Sequence, residues 1–401
     1  MLSAIVAGVL GLVSGTITGI TPGLHINLVA SIVAAYASTL KQSFSPLDIG
    51  IYLLVLSITH TFLDTIPQVF LGVADGSDLL SLLPSQRMVL QGRGMAAVVL
   101  HTMGALCCLI LSVALVPFFV WLFPTVYTIV KPYTWMLLTA VLIFSIVREK
   151  DANTRFWSFI ILLGSSTLGL ITLRTLRLSD PLLPMLSGLF GVSGLVYALV
   201  SRTQLPPQAE SGQVEVKPTQ GFLAFISGTF AGSTIALLPG LGPAQAAIAA
   251  RMFVPNLKTE AFMMLTGGIN TVNMALSLVT MSTLGFARNG SFEVMLSITK
   301  RPDALQLLQF AGVSLLAGGV ATLLTIFMAR RVSVWMTRIN YGKVSAVVLV
   351  FVTALVVWRT GIMGLLIMFV AAATGLVAIL TGAPRHHLMA CIIVPVIWAT
   401  V

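Results

Sequence analysis

Two long apolar runs, each broken near its middle by Pro-Gly, constrain the fold of this chain more than any other feature. The first break is Thr21-Pro22-Gly23-Leu24-His25, and the second is Pro239-Gly240-Leu241-Gly242. Broken backbone at membrane depth is tolerated only where protein or a cavity satisfies its polar groups, so a helix breaker that occurs twice in apolar sequence points to a transporter's binding site. The sequence therefore predicts that the two breaks form the halves of one site.

The composition is that of an integral membrane protein. Of 401 residues, 57% are hydrophobic and only 8% are charged, which is too little charge to cover a soluble surface. The formal net charge of +10 indicates positive-inside orientation and contact with anionic lipid headgroups, and it does not indicate nucleic-acid binding. The three cysteines show no disulfide or zinc spacing. We expect a multi-pass protein of the cell (cytoplasmic) membrane. We also expect that its first apolar segment is not cleaved off as a signal peptide.

The apolar pattern occurs twice, and its landmarks recur at one constant offset along the chain. A ridge of small residues at 11, 15 and 19 recurs at 224, 228 and 232, and the similar segments Leu71–Ser77 and Leu284–Ser291 have the same offset at their first glycines, Gly72 and Gly285. Two landmarks at one offset indicate an internal duplication. The predicted organisation is a first transmembrane repeat at 1–201, a polar, Pro-rich linker at 202–220 and a second transmembrane repeat at 221–401.

The predicted fold is an all-α integral membrane protein with two inverted-topology repeats. Each repeat would hold a Pro-Gly-broken re-entrant hairpin plus about five transmembrane helices, and this odd number of crossings inverts the second repeat. With the basic loop 330–343 placed in the cytoplasm, fourteen of the 22 Lys and Arg residues fall inside and eight outside, as the positive-inside rule favours. The predicted single spans are 49–73, 95–123, 133–147, 156–178, 183–201, 261–285, 306–329, 344–358, 361–381 and 386–401.

The breaks have the residue types of helix N-termini. Thr21 is predicted to cap a helix that begins at Pro22, and Gly242 to precede one that begins at Pro243. In inverted repeats the two positive helix ends would converge on an anion. The alternative is that Pro-Gly only kinks helices for packing. The predicted substrate-binding residues here are Thr21, Pro22, Gly23, His25, Asn27, Pro239, Gly240, Gly242 and Gln245.

The span after the first break carries His60, Asp64 and Gln68 at a spacing of four, which places them on one helical face. Asp64 is an acid inside a span, where an ionisable group is costly and is by default a functional candidate. We therefore predict ion coupling through these three residues, with Asp64 and His60 carrying a proton. The alternative is a structural hydrogen bond between Asp64 and a neighbouring Thr, His or Gln.

The equivalent span of the second half is polar but neutral. Asn270 and Asn273 are predicted to meet substrate or a sodium ion, although such residues also join helices by hydrogen bonds. Arg93 and Arg288 lie just beyond the two spans and are predicted to receive an anionic group, the alternative being lipid phosphate. His101, His386 and His387 lack metal-ligand partners at a convincing spacing, so we interpret them as structural and expect no metal.

Sequence motifs of enzymes are missing. The chain has no G-x-S-x-G, no H-E-x-x-H and no Walker loop. We expect a protein that is not an enzyme and has no cofactor, with transport driven by Na⁺ or H⁺ as the coupling ion.

Several motifs in order resemble a known family. They are Pro239-Gly240-Leu241-Gly242-Pro243, its counterpart Pro22-Gly23-Leu24-His25, Leu83-Pro84 leading to Gly92-Arg93-Gly94, and Leu284–Gly290. Together they resemble the large permease subunit of the tripartite tricarboxylate transporters, in the shorter branch common in archaea. The resemblance implies a permease that carries carboxylate anions with a proton or sodium gradient. In larger members it also implies a small membrane subunit and an extracytoplasmic binding protein as partners.

A second resemblance keeps the substrate open. Membrane proteins that return polyprenyl phosphate carriers across the membrane also have duplicated Pro-Gly re-entrant elements, and a phosphate monoester suits convergent helix ends. The first hypothesis is a secondary transporter for an organic anion, and the alternative is a translocase for a polyprenyl-phosphate lipid. The chain also departs from the longer bacterial members, because Thr61–Pro67 lacks the glycine that follows the proline in their second span.

Overall fold

The structure is a computed structural model that describes residues 2–22, 24, 26–71, 79–149, 151–176, 178, 180–201, 206–209, 211–238, 242–336 and 341–400. These residues form helices and connections, with no strand among them. The α-helices are α1 (Leu2–Ile20), α2 (Ile26–Ala35), α3 (Ala37–Ser43), α4 (Pro46–Leu63), α5 (Thr65–Leu71), α6 (Leu79–Leu90), α7 (Gly94–Ala114), α8 (Val116–Val130), α9 (Thr134–Val147), α10 (Ala152–Leu170), α11 (Leu182–Leu186), α12 (Ser193–Val200), α13 (Pro218–Leu237), α14 (Pro243–Phe253), α15 (Thr259–Thr283), α16 (Gly290–Thr299), α17 (Ala304–Met336), α18 (Tyr341–Thr381) and α19 (Ala390–Thr400). Short 3₁₀ helices lie at Lys131–Tyr133 and Arg385–Met389, and π-helical segments at Ile171–Thr175 and Ser187–Val192.

Ten helical segments of the described chain are long and apolar enough to cross a membrane. The prediction of an all-α, multi-pass membrane protein is therefore confirmed. Two of the segments, Pro46–Leu71 and Thr259–Thr283, are each 94% buried over their most apolar window, far more than the other eight. α4–α5 and α15 are thus the two central helices, around which the others pack.

The small-residue ridges lie where the first helix of each half meets a central helix. A methyl group built on Gly15 of α1 would lie 2.6 Å from Leu56 O of α4, and one built on Gly232 of α13 would lie 2.8 Å from Ile269 O of α15. A larger side chain would push the helices apart, so these positions require glycine for close packing. The same packing device is used in both halves.

The two halves share one core. α7 of the first half packs along α15, and α17 of the second half packs along α4. The predicted division at 1–201, 202–220 and 221–401 stays a prediction, and α13 begins at Pro218, within the segment predicted as linker.

The polar segment before α13 is docked on the junction of α6 and α7. The side chain of Gln208 is buried, and it accepts a hydrogen bond from Gly94 N–H at 3.0 Å while donating to Val89 O at 2.9 Å. One amide thus satisfies an orphan donor at the start of α7 and an orphan acceptor at the end of α6.

The outer helices form a second bundle, in which α9 to α12 pack with α18 and α19. α18 contains a single non-helical residue, Gly361, with φ 66° and ψ −161°. A methyl group built on Gly364 would lie 3.5 Å from Val356 Cγ1, although eight residues of straight helix span about 12 Å. The chain therefore turns sharply at Gly361, between the two spans predicted at 344–358 and 361–381.

One predicted span is interrupted. The span predicted at 95–123 is interrupted at Leu115, where α7 ends and α8 begins. The following residue pair, Val116-Pro117, explains the interruption, because proline at the second position of α8 has no N–H with which to continue the ladder of α7.

Candidate functional site

The first break is a turn that follows α1. Thr21 N–H donates to Ile17 O at 3.2 Å, and Leu24 N–H donates to Thr21 O at 3.2 Å. α2 begins only at Ile26, so the prediction that Thr21 caps a helix starting at Pro22 is wrong. The physical reason is that the Thr21 N–H continues the hydrogen-bond ladder of α1, which holds Thr21 at the end of that helix.

At the second break, α14 begins at Pro243 as predicted, with Gly242 just before it. The two helices on either side of this break, α13 and α14, pack against each other. Four predicted break residues lie outside the described residues, namely Gly23, His25, Pro239 and Gly240. The side chain of Gln245 is also outside the described part of the chain.

The predicted ion-coupling residues lie at the end of α4 and the start of α5. His60, Asp64 and Gln68 are all buried, and Asp64 separates the two helices. Gln68 Nε2 donates to Asp64 Oδ2 at 2.5 Å, which is the contact that their spacing of four predicts. His60 Nδ1 lies 3.0 Å from Thr18 Oγ1 of α1. The Asp64–Gln68 bond also matches the structural alternative, so coupling stays a prediction.

The predicted neutral residues lie in the middle of α15. Asn270 is buried, and the Oδ1 atom of Asn273 is enclosed with no hydrogen-bond partner among the residues that the structure describes. Ser277 donates its hydroxyl to the backbone oxygen of Asn273 at 2.7 Å. A buried amide oxygen without a partner loses hydrogen-bond energy, so Asn273 is a position where a bound water, ion or ligand would be stabilised.

Arg288 holds the end of α13, next to the second break. Its Nε donates to Ala236 O at 3.0 Å, and its Nη2 donates to Leu237 O. Burial lowers the pKa of Arg288 to about 10, so the guanidinium stays charged at neutral pH. The half-buried side chain thus brings a positive charge to the carbonyl end of α13.

The segment from Arg288 to Gly290 connects the two break regions. A methyl group built on Gly290 would lie 3.0 Å from Oδ1 of Asn27, and both residues lie in the first turn of a helix, α16 and α2. Arg288 and Gly290 are two residues apart, which is at most about 7 Å of chain. The two helix N-termini therefore lie close together, with the half-buried Arg288 two residues before one of them. Helix N-termini and a nearby basic side chain are an arrangement that can bind an anion.

Three further polar residues at this place were missed by the sequence reasoning. Ser57 and Ser291 are 2.9 Å apart through their hydroxyl oxygens, and Ser291 donates to Asn289 Oδ1 at 2.8 Å. Asn289 caps α16, because its Oδ1 also accepts from Phe292 N–H at 2.9 Å. The signal that predicts this cap is an asparagine immediately before an apolar helical segment.

Arg93 lies in a different environment from Arg288. It is exposed at the start of α7, in the junction that Gln208 caps. The structure therefore brings Asn27 and Arg288 to one place and leaves Arg93 on the surface of the described chain.

Comparison with known proteins identifies the family. The model of the tripartite tricarboxylate transporter TctA family matches residues 5–390. The chain belongs to the TctA family. An uncharacterized protein of Methanocaldococcus jannaschii is 24% identical over 412 residues, with 97% of each chain covered. No solved structure matches the chain. The predicted resemblance is thereby confirmed, and the TctA chain described here is a membrane permease of the transporter class.

Proposed function

We propose that this TctA-family protein is a secondary transporter of the cell membrane that carries an organic carboxylate down or against its gradient with H⁺ or Na⁺. The proposed site lies between the two Pro-Gly breaks, and alternating access exposes it to each side in turn. The observation that carries the proposal is the segment from Arg288 to Gly290. It contacts the end of α13 before one break and the start of α2 after the other.

Inverted repeats are supported by how the central helices run. A methyl group built on Gly50, near the start of α4, would lie 2.9 Å from Thr299 Cγ2, at the end of α16. Ser282, near the end of α15, donates its hydroxyl to Pro302 O at 2.9 Å. Because Thr299 and Pro302 are close neighbours in the chain, the start of α4 lies level with the end of α15.

The opposite ends agree with this relation. Thr65, just after α4, lies 2.8 Å from His101 through Oγ1 and Nδ1. A methyl group on Gly267, in the first half of α15, would lie 2.9 Å from Cγ of the same histidine. α4 and α15, which the constant sequence offset pairs, thus run in opposite directions, and this supports the proposed inverted repeat.

The outer bundle supports the same relation. Gly361, where α18 turns, corresponds to Arg148, where α9 ends, at the same offset that relates the two glycine ridges. The Arg148 turn precedes α10, whereas Arg359 beside the Gly361 turn pairs with Asp180 at 3.8 Å, beyond the far end of α10. The turns at Arg148 and Gly361, which the constant offset pairs, thus lie at opposite ends of α10.

Within this scheme the polar groups divide into those that contact substrate and those that contact the coupling ion. Arg288 attracts the substrate carboxylate, and the first turns of α2 and α16 supply partly positive helix ends. Asn27 and Asn289 present amide groups, and Asn270 and Asn273 bind substrate or a sodium ion. Asp64 exchanges the coupling proton with His60 or accepts the coupling cation, because it is the carboxylate among these groups. A small membrane subunit and a binding protein are further candidates as partners, through the family alone.

The test is uptake of radiolabelled citrate into proteoliposomes under an imposed pH or Na⁺ gradient. Wild-type protein should accumulate citrate only with a gradient. Arg288→Gln should lower uptake by about 10- to 100-fold, since hydrogen bonds to a charged group contribute about 1.5–3 kcal/mol. Mass spectrometry of the molecule that co-purifies with the protein gives a second, independent readout.

A matched control is Arg301→Gln. Arg301 also donates to carbonyls at a helix end, Ser282 O and Thr283 O, but it is exposed. Its loss should leave uptake near the wild-type rate. Equal uptake by wild type and Arg288→Gln would exclude the proposed site. A polyprenyl phosphate in the mass spectrum, together with no carboxylate uptake, would favour the lipid-carrier function instead.

A further inference from the structure

A cluster of three residues that can bind a metal ion lies outside the proposed transport site. Glu149 precedes α10, and His386 and His387 belong to the 3₁₀ helix that precedes α19. His387 Nε2 lies 3.0 Å from Glu149 Oε1, and His386 Nε2 lies 3.9 Å from the same oxygen. One ligand atom from each residue can be chosen so that all three lie within 4.8 Å of one another.

These separations suit a small divalent cation. In a tetrahedral zinc site with bonds of about 2.1 Å, neighbouring ligand atoms are about 3.4 Å apart, and the two observed distances lie on either side of this value. Two imidazole nitrogens and one carboxylate oxygen form a ligand set that suits Zn²⁺ and related transition metals better than Mg²⁺ or Ca²⁺, which prefer oxygen ligands.

The protein holds the two histidines in place before any ion binds. Arg385 is buried and donates to Phe190 O at 2.5 Å and Ser193 Oγ at 3.0 Å, which anchors the 3₁₀ helix on the outer bundle. Ser165 of α10 donates to the backbone oxygen of His387 at 3.3 Å. A rigid support of this kind lowers the entropy cost of gathering ligands.

The site is also open to an entering ion. The His387 side chain is fully enclosed, whereas those of His386 and Glu149 are 15% and 13% exposed. Three protein ligands with a partly exposed face leave a fourth position for water.

We infer that Glu149, His386 and His387 form a binding site for one Zn²⁺-class ion. The ion ties the α9–α10 turn of the first half to the segment before α19 of the second half. Its role is structural, since it replaces one hydrogen bond between the two segments with three metal–ligand bonds. The inference does not depend on which substrate the transporter carries.

The test is metal stoichiometry on the full chain, purified in detergent with an affinity tag that contains no histidine. The protein is stripped with a chelator, incubated with ZnCl₂, desalted and measured by inductively coupled plasma mass spectrometry. We expect one Zn²⁺ per chain, and a rise in thermal midpoint on adding Zn²⁺. Co²⁺ in place of Zn²⁺ should give the strong visible absorption of a four-coordinate site.

Glu149→Gln and His386→Gln should each lower the Zn²⁺ affinity by at least 10-fold. The second variant changes the more exposed histidine and should fold even if a change at His387 does not. His101→Gln is the control, because it removes a histidine at another place, where His101 contacts Thr65. Wild-type protein with no bound Zn²⁺, or equal binding by all three variants and wild type, would overturn the inference.

Discussion

The two central helices differ most where they are most polar. α4 ends at Leu63, and Asp64 lies between it and α5, with a hydrogen bond from Gln68. α15 continues for 25 residues without interruption and carries the neutral Asn270 and Asn273 at the corresponding depth. Each helix nevertheless packs against a glycine ridge of its own half and against a long helix of the other half.

This difference shows that the two predicted repeats are alike in helix packing and differ in polar chemistry. In both halves the glycine ridge of the first helix, α1 or α13, contacts the central helix, α4–α5 or α15. This close packing is required for the helix bundle to form. His60 and Asp64 of α4–α5 are titratable, whereas the residues of α15 at the constant sequence offset are neutral: Asn273 for His60 and Ser277 for Asp64. This difference is consistent with the proposal that the first half couples the ion and the second half contacts the substrate or a sodium ion through neutral groups.

The breaks differ in a similar way. α14 packs back on α13 of its own half, whereas α2 packs on α16 of the other half. The helix that follows the first break therefore contacts the second half, and Gly290 lies in this contact.

The strongest test of the comparison is Asp64→Asn. An amide has nearly the same shape as the carboxylate and can still bond Gln68, but it cannot carry a proton or a negative charge. Gradient-driven uptake in proteoliposomes should fall to background while the elution profile and thermal midpoint of the protein remain those of wild type.

The matched control is Ser277→Ala in α15, at the position of the second half that corresponds to Asp64. It removes a hydroxyl that bonds only the backbone of Asn273 among the described contacts, so coupled uptake should continue. If Asp64→Asn took up substrate under a proton gradient at the rate of the wild-type protein, Asp64 would not carry the coupling proton.

Local chemistry in the sequence predicts much of the fold, and the structure shows why. Apolar length places the crossings, Pro-Gly places both breaks, and the constant offset between the halves pairs the two ridges. Thr21 shows the limit of local rules, because its capping preference competes with the continuing ladder of α1 and is not decisive. The polar face of α4–α5 was visible because spacing of four is a local property of a helix.

The meeting of Asn27 with Gly290 depends instead on how α2 packs against α16, two helices that lie in different halves of the chain. Sequence spacing has no information on such a contact. The same applies to Glu149 and His387, whose proximity comes from the packing of α10 with α19. The interpretation of these histidines as structural rests on the absence of metal ligands at a suitable sequence spacing, and it stays a prediction.

A smaller effect is expected at the turn that splits α18. Gly361 has a positive φ with ψ near −161°, a conformation that costs a residue with a Cβ about 1–3 kcal/mol. Gly361→Ala should therefore lower the thermal midpoint of the detergent-solubilised protein. Gly319→Ala in α17 is the control, because a methyl group there meets no atom within 4 Å and its backbone is helical. A midpoint for Gly361→Ala equal to that of the control would show that the turn carries no strain.

The smallest effect is expected at Asp151, in the first-half counterpart of that turn. There the chain uses a cap instead of a glycine, since Asp151 Oδ1 accepts from Thr154 N–H at 2.8 Å at the start of α10. This hydrogen bond, with a second one from the Thr154 hydroxyl, lowers the pKa of Asp151. A lowered pKa means that the stabilisation is present above the unfolded-state pKa of about 3.9 and is lost as the pH falls through the lower folded value.

Asp151→Ala should therefore lower the thermal midpoint slightly at pH 7, by less than Gly361→Ala, and the difference from wild type should shrink below about pH 4. A difference that does not change with pH would mean that the Asp151 carboxylate charge does not stabilise the turn, and that the two turns differ only in backbone geometry.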